Sequence, residues 1–159
     1  MKIAIIYCSK YGTTEKVCHA ISKMVGKANE VDLFDLKNQK KLDVHEYDAI
    51  VLGSSVYAGK PRKQMVEFCK NNEEQLLSKR LFLFVCGMDK EHAVREIEMT
   101  YPAKMLQAAE KSEFIEGEFL LNKISFIERF MLRVFFKVKQ SVTREYDDIA
   151  RDFAGKLMP

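Results

Sequence analysis

The most constraining feature of this sequence is a loop rich in hydroxyl groups that directly follows an apolar run. Residues 8–14 read Cys-Ser-Lys-Tyr-Gly-Thr-Thr, and residues 3–7 before them read Ile-Ala-Ile-Ile-Tyr. The apolar run predicts a buried strand, and the loop is expected to open a helix that begins near Thr13. Backbone N–H groups at a helix start, the helix dipole and short hydroxyl side chains together favour a bound phosphate. Because no carboxylate precedes Glu15 in this loop, the pattern indicates a monoester phosphate held without a metal ion.

The same hydroxyl groups have a second interpretation, because Ser9 and Thr13 could simply cap the first helix. The loop lacks the G-x-x-x-x-G-K-[ST] motif of nucleotide hydrolases and the G-x-G-x-x-G motif of dinucleotide-binding proteins. Its position after the first strand of an alternating β/α chain favours phosphate binding over capping alone. Gly12 would let the backbone approach the ligand and adopt a positive φ.

Length and composition favour one globular domain spanning residues 1–159, with 47% apolar and 31% charged residues. No run approaches 18 uncharged apolar residues, so no membrane-spanning helix is expected. The first residues show no export signal, which predicts a cytoplasmic location. The four cysteines form no C-x-x-C pair and the three histidines lie far apart. We therefore expect reduced, buried thiols and no metal site.

Short apolar runs predict five strands, several of them apolar throughout, as parallel strands covered on both faces should be. These strands are Lys2–Cys8, Glu30–Phe34, Asp48–Ser54, Arg80–Cys86 and Phe114–Leu121. Helices are predicted between them from apolar residues at helical spacing and from a proline at an acceptable first-turn position. The predicted helices are about Thr13–Lys27, a helix that starts at Pro61, about Ala103–Lys111, and Val142–Leu157. A turn is predicted at Ala93–Glu98, and a loop or short helix over Asp35–Tyr47.

The segment from Ile5 to Val17 resembles the FMN-phosphate loop of the flavodoxin family. In that pattern a hydroxyl residue is followed by two variable residues, a glycine, one further residue and a threonine, which are Ser9, Gly12 and Thr14 here. The resemblance implies a three-layer, flavodoxin-like α/β fold with a doubly wound, parallel, five-stranded sheet in the order 2-1-3-4-5. It also implies one non-covalently bound FMN. Its phosphate would be held by Ser9, Lys10, Tyr11, Gly12, Thr13 and Thr14.

Two further loops are expected at the carboxyl edge of the same sheet, near the switch point between strands one and three. They resemble the flavin-ring loops of the family in position. Tyr57 is predicted to stack on the ring, although a plain turn with Tyr57 half exposed is the alternative. Gly87 would let the backbone approach the ligand, although it would also suit an ordinary turn. The ring-binding residues implied are Ser54, Ser55, Val56, Tyr57, Ala58 and Gly59 in one loop and Cys86, Gly87, Met88 and Asp89 in the other.

Residues 122–141 form an insert that makes the connection between the last strand and the last helix much longer than usual. Residues 123–140 contain five Lys or Arg and one Glu, a net charge of +4, whereas the whole chain carries +3. This pattern predicts an amphipathic helix that meets an anionic membrane, an anionic apolar ligand or a second subunit; an extra packing layer is the alternative. On a helix, one arc of about 140° would hold Ile124, Ile127, Phe130, Met131, Val134, Phe135 and Val138, opposite Arg129, Arg133, Lys137 and Gln140.

The insert and the final helix resemble those of the flavodoxin-type, menaquinone-dependent protoporphyrinogen oxidases, on the pattern Phe126…Glu128-Arg129-Phe130-Met131. The resemblance implies an oxidoreductase of haem biosynthesis that passes electrons from a porphyrin-like substrate through FMN to a quinone. It also implies peripheral binding to the inner face of the cell membrane. A small electron carrier that docks on a redox protein partner, and a flavin-binding regulator without turnover, are the alternatives. No acid–base pair or nucleophile is evident, so no catalytic residue is assigned, and no nucleic-acid partner is expected.

Overall fold

Five long parallel strands form the centre of the computed structural model, which describes residues 1–39, 41–118, 125–135 and 143–158. The strands in chain order are β1 (Lys2–Cys8), β2 (Glu30–Asp35), β3 (Ala49–Tyr57), the two-residue β4 (Lys60–Pro61), β5 (Arg80–Gly87) and β6 (Lys111–Glu116). Across the sheet the order is β2-β1-β3-β5-β6, and β4 pairs only with β3, in the antiparallel direction. The predicted order of the five main strands is thus confirmed, whereas β4 was not predicted.

Helices cover both faces of this sheet. The helices in chain order are α1 (Thr13–Val25), α2 (Lys63–Asn71), α3 (Glu73–Leu77), α4 (Ala93–Thr100), α5 (Ala103–Ala108), α6 (Phe126–Phe135) and α7 (Asp147–Leu157), with a 3-10 turn at Lys90–His92 before α4. Helix α3 was not predicted, and α4 was predicted only as a turn. The predicted α1 is two residues too long and the predicted α5 three residues too long, and the predicted start of α7 at Val142 was wrong because the helix begins at Asp147.

The predicted start of β6 at Phe114 was wrong because of a lysine that behaves as a core residue. Lys111 opens the strand with only 10% of its side chain exposed, forms ion pairs with Glu113 and Asp152, and places its Nζ 4.8 Å from the centroid of the Phe153 ring. Its aliphatic stem therefore packs like an apolar side chain while the ammonium group is neutralised at the surface. A strand that begins with a lysine is easily taken for the end of a helix. The end of the predicted strand, beyond residue 118, lies outside the described residues.

Two apolar layers hold the helices on the sheet, and alternate residues of β1 contribute to each. Ile3, Ile5 and Tyr7 pack with α1 and α7 on one face. The intervening residues of β1 pack on the other face, with α2, α3 and α5. Both faces of β1 are buried, as its apolar run indicates. The predicted three-layer α/β fold is therefore confirmed.

A buried tyrosine connects the end of α4 to the two central strands. The hydroxyl of Tyr101 lies 2.7 Å from the carbonyl oxygen of Phe84 and 3.0 Å from that of Leu52, and donates to them. Burial raises the pKa of Tyr101 well above its ordinary value, so the phenol keeps its proton. This contact holds β3 and β5 just before they reach the carboxyl edge of the sheet.

Tyr101→Phe should lower the free energy of unfolding by about 1–3 kcal/mol, because two buried carbonyl groups lose their shared donor. Urea denaturation at neutral pH measures this change. The matched control is Tyr146→Phe, which removes a hydroxyl that lies 3.4 Å from its acceptor, the carbonyl of Glu116. Equal effects of the two substitutions would contradict the role given to Tyr101.

Candidate functional site

Strand register brings the three predicted site loops together at one edge of the sheet. Cys8 at the end of β1 pairs with Ser54 of β3, and Ser55 of β3 pairs with Cys86 of β5. The chain segments that follow β1, β3 and β5 therefore begin side by side. This is the carboxyl edge, at the switch point between β1 and β3, where parallel sheets of this type bind ligands.

The first loop has the backbone geometry of an anion cradle. Gly12 occupies the N-cap position of α1 with φ of 100°, a conformation that is costly for a residue with a Cβ. The Oγ of Ser9 is buried and accepts a hydrogen bond from the N–H of Gly12 at 3.0 Å. The N-cap residue Gly12 has no side chain to cap α1. Ser9 bonds to the N–H of this N-cap residue, and the N–H groups of the first turn of α1 have no partner within the helix.

Two buried hydroxyl groups at this edge lack hydrogen-bond partners among the described residues. They are the Oγ1 of Thr14, in a fully buried residue of α1, and the Oγ of Ser55 in β3. Burial raises the pKa of the Cys86 thiol to about 12, and the neighbouring hydroxyl of Thr14 opposes this rise. A thiol is only a weak hydrogen-bond partner. Leaving a buried hydroxyl unsatisfied costs about 1–3 kcal/mol, so these two groups suit a site completed by a bound oxyanion.

Two tyrosines and a lysine lie beside the cradle. The rings of Tyr11 and Tyr57 meet edge to face, with centroids 5.6 Å apart and planes at 71°. The Nζ of Lys10 lies 3.4 Å from the centroid of the Tyr57 ring and 4.7 Å from that of Tyr11. Tyr57 is half buried. The arrangement offers aromatic surface and one positive charge next to the predicted phosphate loop.

The second predicted loop differs from the prediction, since most of it is strand. β3 continues to Tyr57, and a turn at Ala58 and Gly59 returns the chain to β4. Both turn residues have positive φ, 50° for Ala58 and 68° for Gly59, as in the tight turns that join two-residue hairpins. The error has a simple cause, because alanine is an unusual residue for such a turn. As a result Ser54 and Val56 are buried in the sheet, whereas Ala58 and Gly59 are exposed.

The third loop begins at a glycine that has no room for a side chain. A Cβ at Gly87 would lie 2.2 Å from the Oε2 of Glu96 and 2.7 Å from the ring of Phe114. Beyond Met88, the carboxylate of Asp89 lies 2.7 Å from the Nδ1 of His92. Glu96 of α4 and Phe114 of β6 thus pack against the backbone at the start of this loop.

Sequence reasoning missed two carboxyl groups at this edge. Glu96 is only 5% exposed, although the nearby Arg95 and Glu98 are charged and suggest a solvated helix face. Glu118 follows β6, and its side chain is 6% exposed in an ion pair with Lys16 of α1 at 2.6 Å. It also accepts a hydrogen bond from the N–H of Arg144 at 3.1 Å. A cavity of about 360 Å³ adjoins this pair, lined by Tyr11, Gly12, Thr13, Glu15, Lys16, His19 and Glu118.

The predicted insert forms a helix with exposed apolar side chains in its described part. Four of them are large and open to solvent: Phe126 at 83% exposed, Ile127 at 71%, Phe130 at 64% and Val134 at 55%. The alternative of an extra packing layer is therefore wrong for these side chains. Ile124, Lys137, Val138 and Gln140 lie outside the described residues. No helix in the described part of the chain is long and apolar enough to cross a membrane.

Comparison with known proteins gives a family and a fold. A family model described as a flavodoxin domain matches residues 4–145. A short-chain flavodoxin associated with a non-canonical PDU bacterial microcompartment has a TM-score of 0.67 at 15% identity, covering 99% of this chain and 96% of that one. Oxidised flavodoxin 2 from Bacillus cereus has a TM-score of 0.64 at 18% identity, with 98% and 97% covered. Fusobacterium nucleatum flavodoxin bound to flavin mononucleotide has a TM-score of 0.53 at 18% identity, with 70% and 68% covered. No curated protein matches the chain.

Proposed function

The chain belongs to the flavodoxin domain family, and on this premise we propose that it is a redox protein that binds one FMN and carries electrons through it. The observation that carries this proposal is the buried Thr14 hydroxyl in the first turn of α1, which has only the weak contact with the Cys86 thiol and no oxygen or nitrogen partner among the described residues. Family membership and a fold neighbour solved with flavin mononucleotide support FMN as the cofactor. When bound, the flavin supplies the redox chemistry, and the protein supplies binding, orientation and electrostatics.

The residues of the first loop fit a phosphate monoester. Ser9 accepts a hydrogen bond from Gly12, which leaves its own O–H able to donate to an anion. Thr14 adds a second O–H, and the open N–H groups at the start of α1 add further donors with the favourable sign of the helix dipole. Lys10, Tyr11 and Thr13 complete the proposed phosphate loop. The phosphate would satisfy groups that the protein alone leaves without partners.

The aromatic pair suits the flat part of the cofactor. Tyr57 would stack on the flavin ring, and the backbone around Gly87 would border it, because no side chain intervenes there. The ammonium group of Lys10 lies over the Tyr57 ring and would place a positive charge near the ring. Such a charge stabilises the more negative, reduced form of the flavin and therefore raises its reduction potential.

Replacing Ser9 and Thr14 together by alanine should weaken FMN binding by about 3–6 kcal/mol, since each hydrogen bond to a charged group is worth roughly 1.5–3 kcal/mol. The dissociation constant then rises by about two orders of magnitude or more. Titration of FMN fluorescence measures this. Ser112→Ala, at an exposed position of β6, is the matched control and should bind like the wild type. An unchanged affinity in the double variant would refute the phosphate-loop assignment.

Tyr57→Ala should brighten the fluorescence of bound FMN and shift its reduction potential, because a stacked aromatic ring quenches the flavin and tunes its electronics. Tyr57→Phe keeps the ring and should retain the quenching. Fluorescence of the saturated protein and spectroelectrochemical titration give the two readouts. Wild-type values of both for Tyr57→Ala would mean that Tyr57 is an ordinary surface residue.

A second function is favoured by the four exposed apolar side chains of α6 and the net charge of +4 over residues 123–140. It is the oxidation of protoporphyrinogen, or a similar apolar anionic substrate, with electrons passed through FMN to a membrane quinone. The comparisons identify the flavodoxin domain family and do not support the oxidase activity. This function therefore rests on the insert. A redox protein partner or a second subunit would use the same exposed face.

Ile127→Ser with Phe130→Ser should reduce co-sedimentation of the FMN-loaded protein with anionic vesicles, because the apolar face provides the buried area for interfacial binding. It should equally reduce porphyrin formation from protoporphyrinogen with a menaquinone analogue, followed by porphyrin fluorescence. Val94→Ser removes a residue of α4 that is 70% exposed and serves as the control. A wild-type protein that neither sediments at low salt nor forms porphyrin would exclude the second function and leave the electron carrier.

A further inference from the structure

A buried carboxyl group supports the third loop of the site from behind. Glu96 lies in the middle of α4, is 5% exposed, and its Oε2 has no hydrogen-bond partner in the described part of the chain. This oxygen occupies the space that a side chain on Gly87 would need, since a Cβ there would lie only 2.2 Å away. The carboxyl group therefore rests directly on the backbone from which the Gly87–Asp89 loop departs.

The charges around Glu96 come from a few known groups. Asp89 raises its pKa and His92 lowers it, and the two side chains are joined to each other at 2.7 Å. α4 also packs against β4, β5 and β6. The titratable groups of α4 are the exposed Arg95 and Glu98, and those of the 3-10 turn before it, besides His92, are the exposed Lys90 and Glu91. The strands bring the exposed Lys60 of β4, Arg80 and the buried thiol of Cys86 in β5, and Lys111, Glu113 and Glu116 in β6, of which Glu116 pairs with Arg144. Among the described residues no cation forms an ion pair with Glu96.

Burial raises the pKa of Glu96 from its ordinary 4.5 to about 7, with a further rise from Asp89 and an opposing effect from His92. The neutral acid is therefore a major form at neutral pH, and the ionised form grows above it. A buried carboxylate without a partner is costly, so ionisation favours a rearrangement that brings a donor or water to it. Because Oε2 lies against Gly87, that rearrangement displaces the loop.

We propose that Glu96 is a positioning residue of the site, whose neutral carboxyl group holds the Gly87–Asp89 backbone in place for the ligand ring and whose ionisation releases it. The part of this inference that concerns FMN rests on the proposed function. Affinity for FMN then falls as the pH rises. The free energy of unfolding also falls as the pH rises from the unfolded pKa to the folded one, because the native state holds the proton more tightly than the unfolded chain.

A first experiment needs no cofactor. Carbon and nitrogen NMR of the protein without added FMN, from pH 5 to 9, follows the Glu96 carboxyl carbon and the amide groups of Gly87 and Met88. All three should titrate with one midpoint near neutrality. Glu96→Gln should abolish the amide titration, whereas Glu98→Gln, two residues away and exposed, should preserve it. His92→Gln should also preserve it with a higher midpoint, because His92 opposes the rise. Amides that do not titrate, or that still titrate in Glu96→Gln, would overturn the proposal.

A second experiment measures the FMN dissociation constant over the same pH range. The wild type and Glu98→Gln should bind more weakly as the pH rises, by up to about tenfold for each unit by which binding raises the pKa of Glu96. Glu96→Gln should bind with little pH dependence, near the low-pH value of the wild type. An unaltered pH dependence in Glu96→Gln would overturn the positioning role but leave FMN binding intact. Absence of FMN binding at every pH would refute the proposed function, and the NMR titration would still decide whether Glu96 controls the loop.

Discussion

The site depends on the packing of one aromatic ring over one glycine in neighbouring strands. Gly53 of β3 lies opposite Phe84 of β5, and a Cβ at Gly53 would come within 2.2 Å of the Phe84 ring. Strands that are apolar on both faces have no polar alternation to fix their register. A ring that needs a glycine beneath it supplies this specificity, because a shift by one residue would place it against a side chain. The pairing of Ser55 with Cys86, and hence the meeting of the loops, follows from this register.

The same edge of the sheet contains the features that weaken the fold. Ala58 has a positive φ, the hydroxyl of Ser55 is buried without a partner among the described residues, and that of Thr14 has only a thiol beside it. Each such feature opposes folding, and none of them adds packing. The fully buried residues of β1, β3 and β5 offset this cost with a large apolar area. Unfavourable features of this kind are common at functional sites, and they support the proposed ligand site at this edge.

The sequence was sufficient to predict those parts of the fold in which residue type and environment agree. The apolar run before Ser9, the hydroxyl loop and the helix from Thr13 form a local pattern, and the order of the five main strands follows from family topology. Prediction failed where a distant contact decided the structure. Lys111 enters a strand because Phe153 and Asp152 receive its stem and charge. Glu96 can be buried because Gly87 leaves space for its carboxyl group. The residues near Glu96 in the sequence do not predict this burial.

Residues on both sides of the insert contact helix α1, which begins in the phosphate loop. Glu118 precedes residues 119–142 and Arg144 follows them, and both meet Lys16 of α1. The Nζ of Lys16 donates to the carboxylate of Glu118 at 2.6 Å and to the carbonyl of Arg144 at 3.3 Å. The N–H of Glu118 lies 3.4 Å from the Oγ1 of Thr13, in the first turn of the same helix. Glu118 is a buried carboxylate beside a proposed anion site, and its charge would oppose a phosphate unless Lys16 neutralised it. One ion pair thus serves two purposes, since it holds the chain that leads into the insert against α1 and removes a negative charge from the neighbourhood of the cradle.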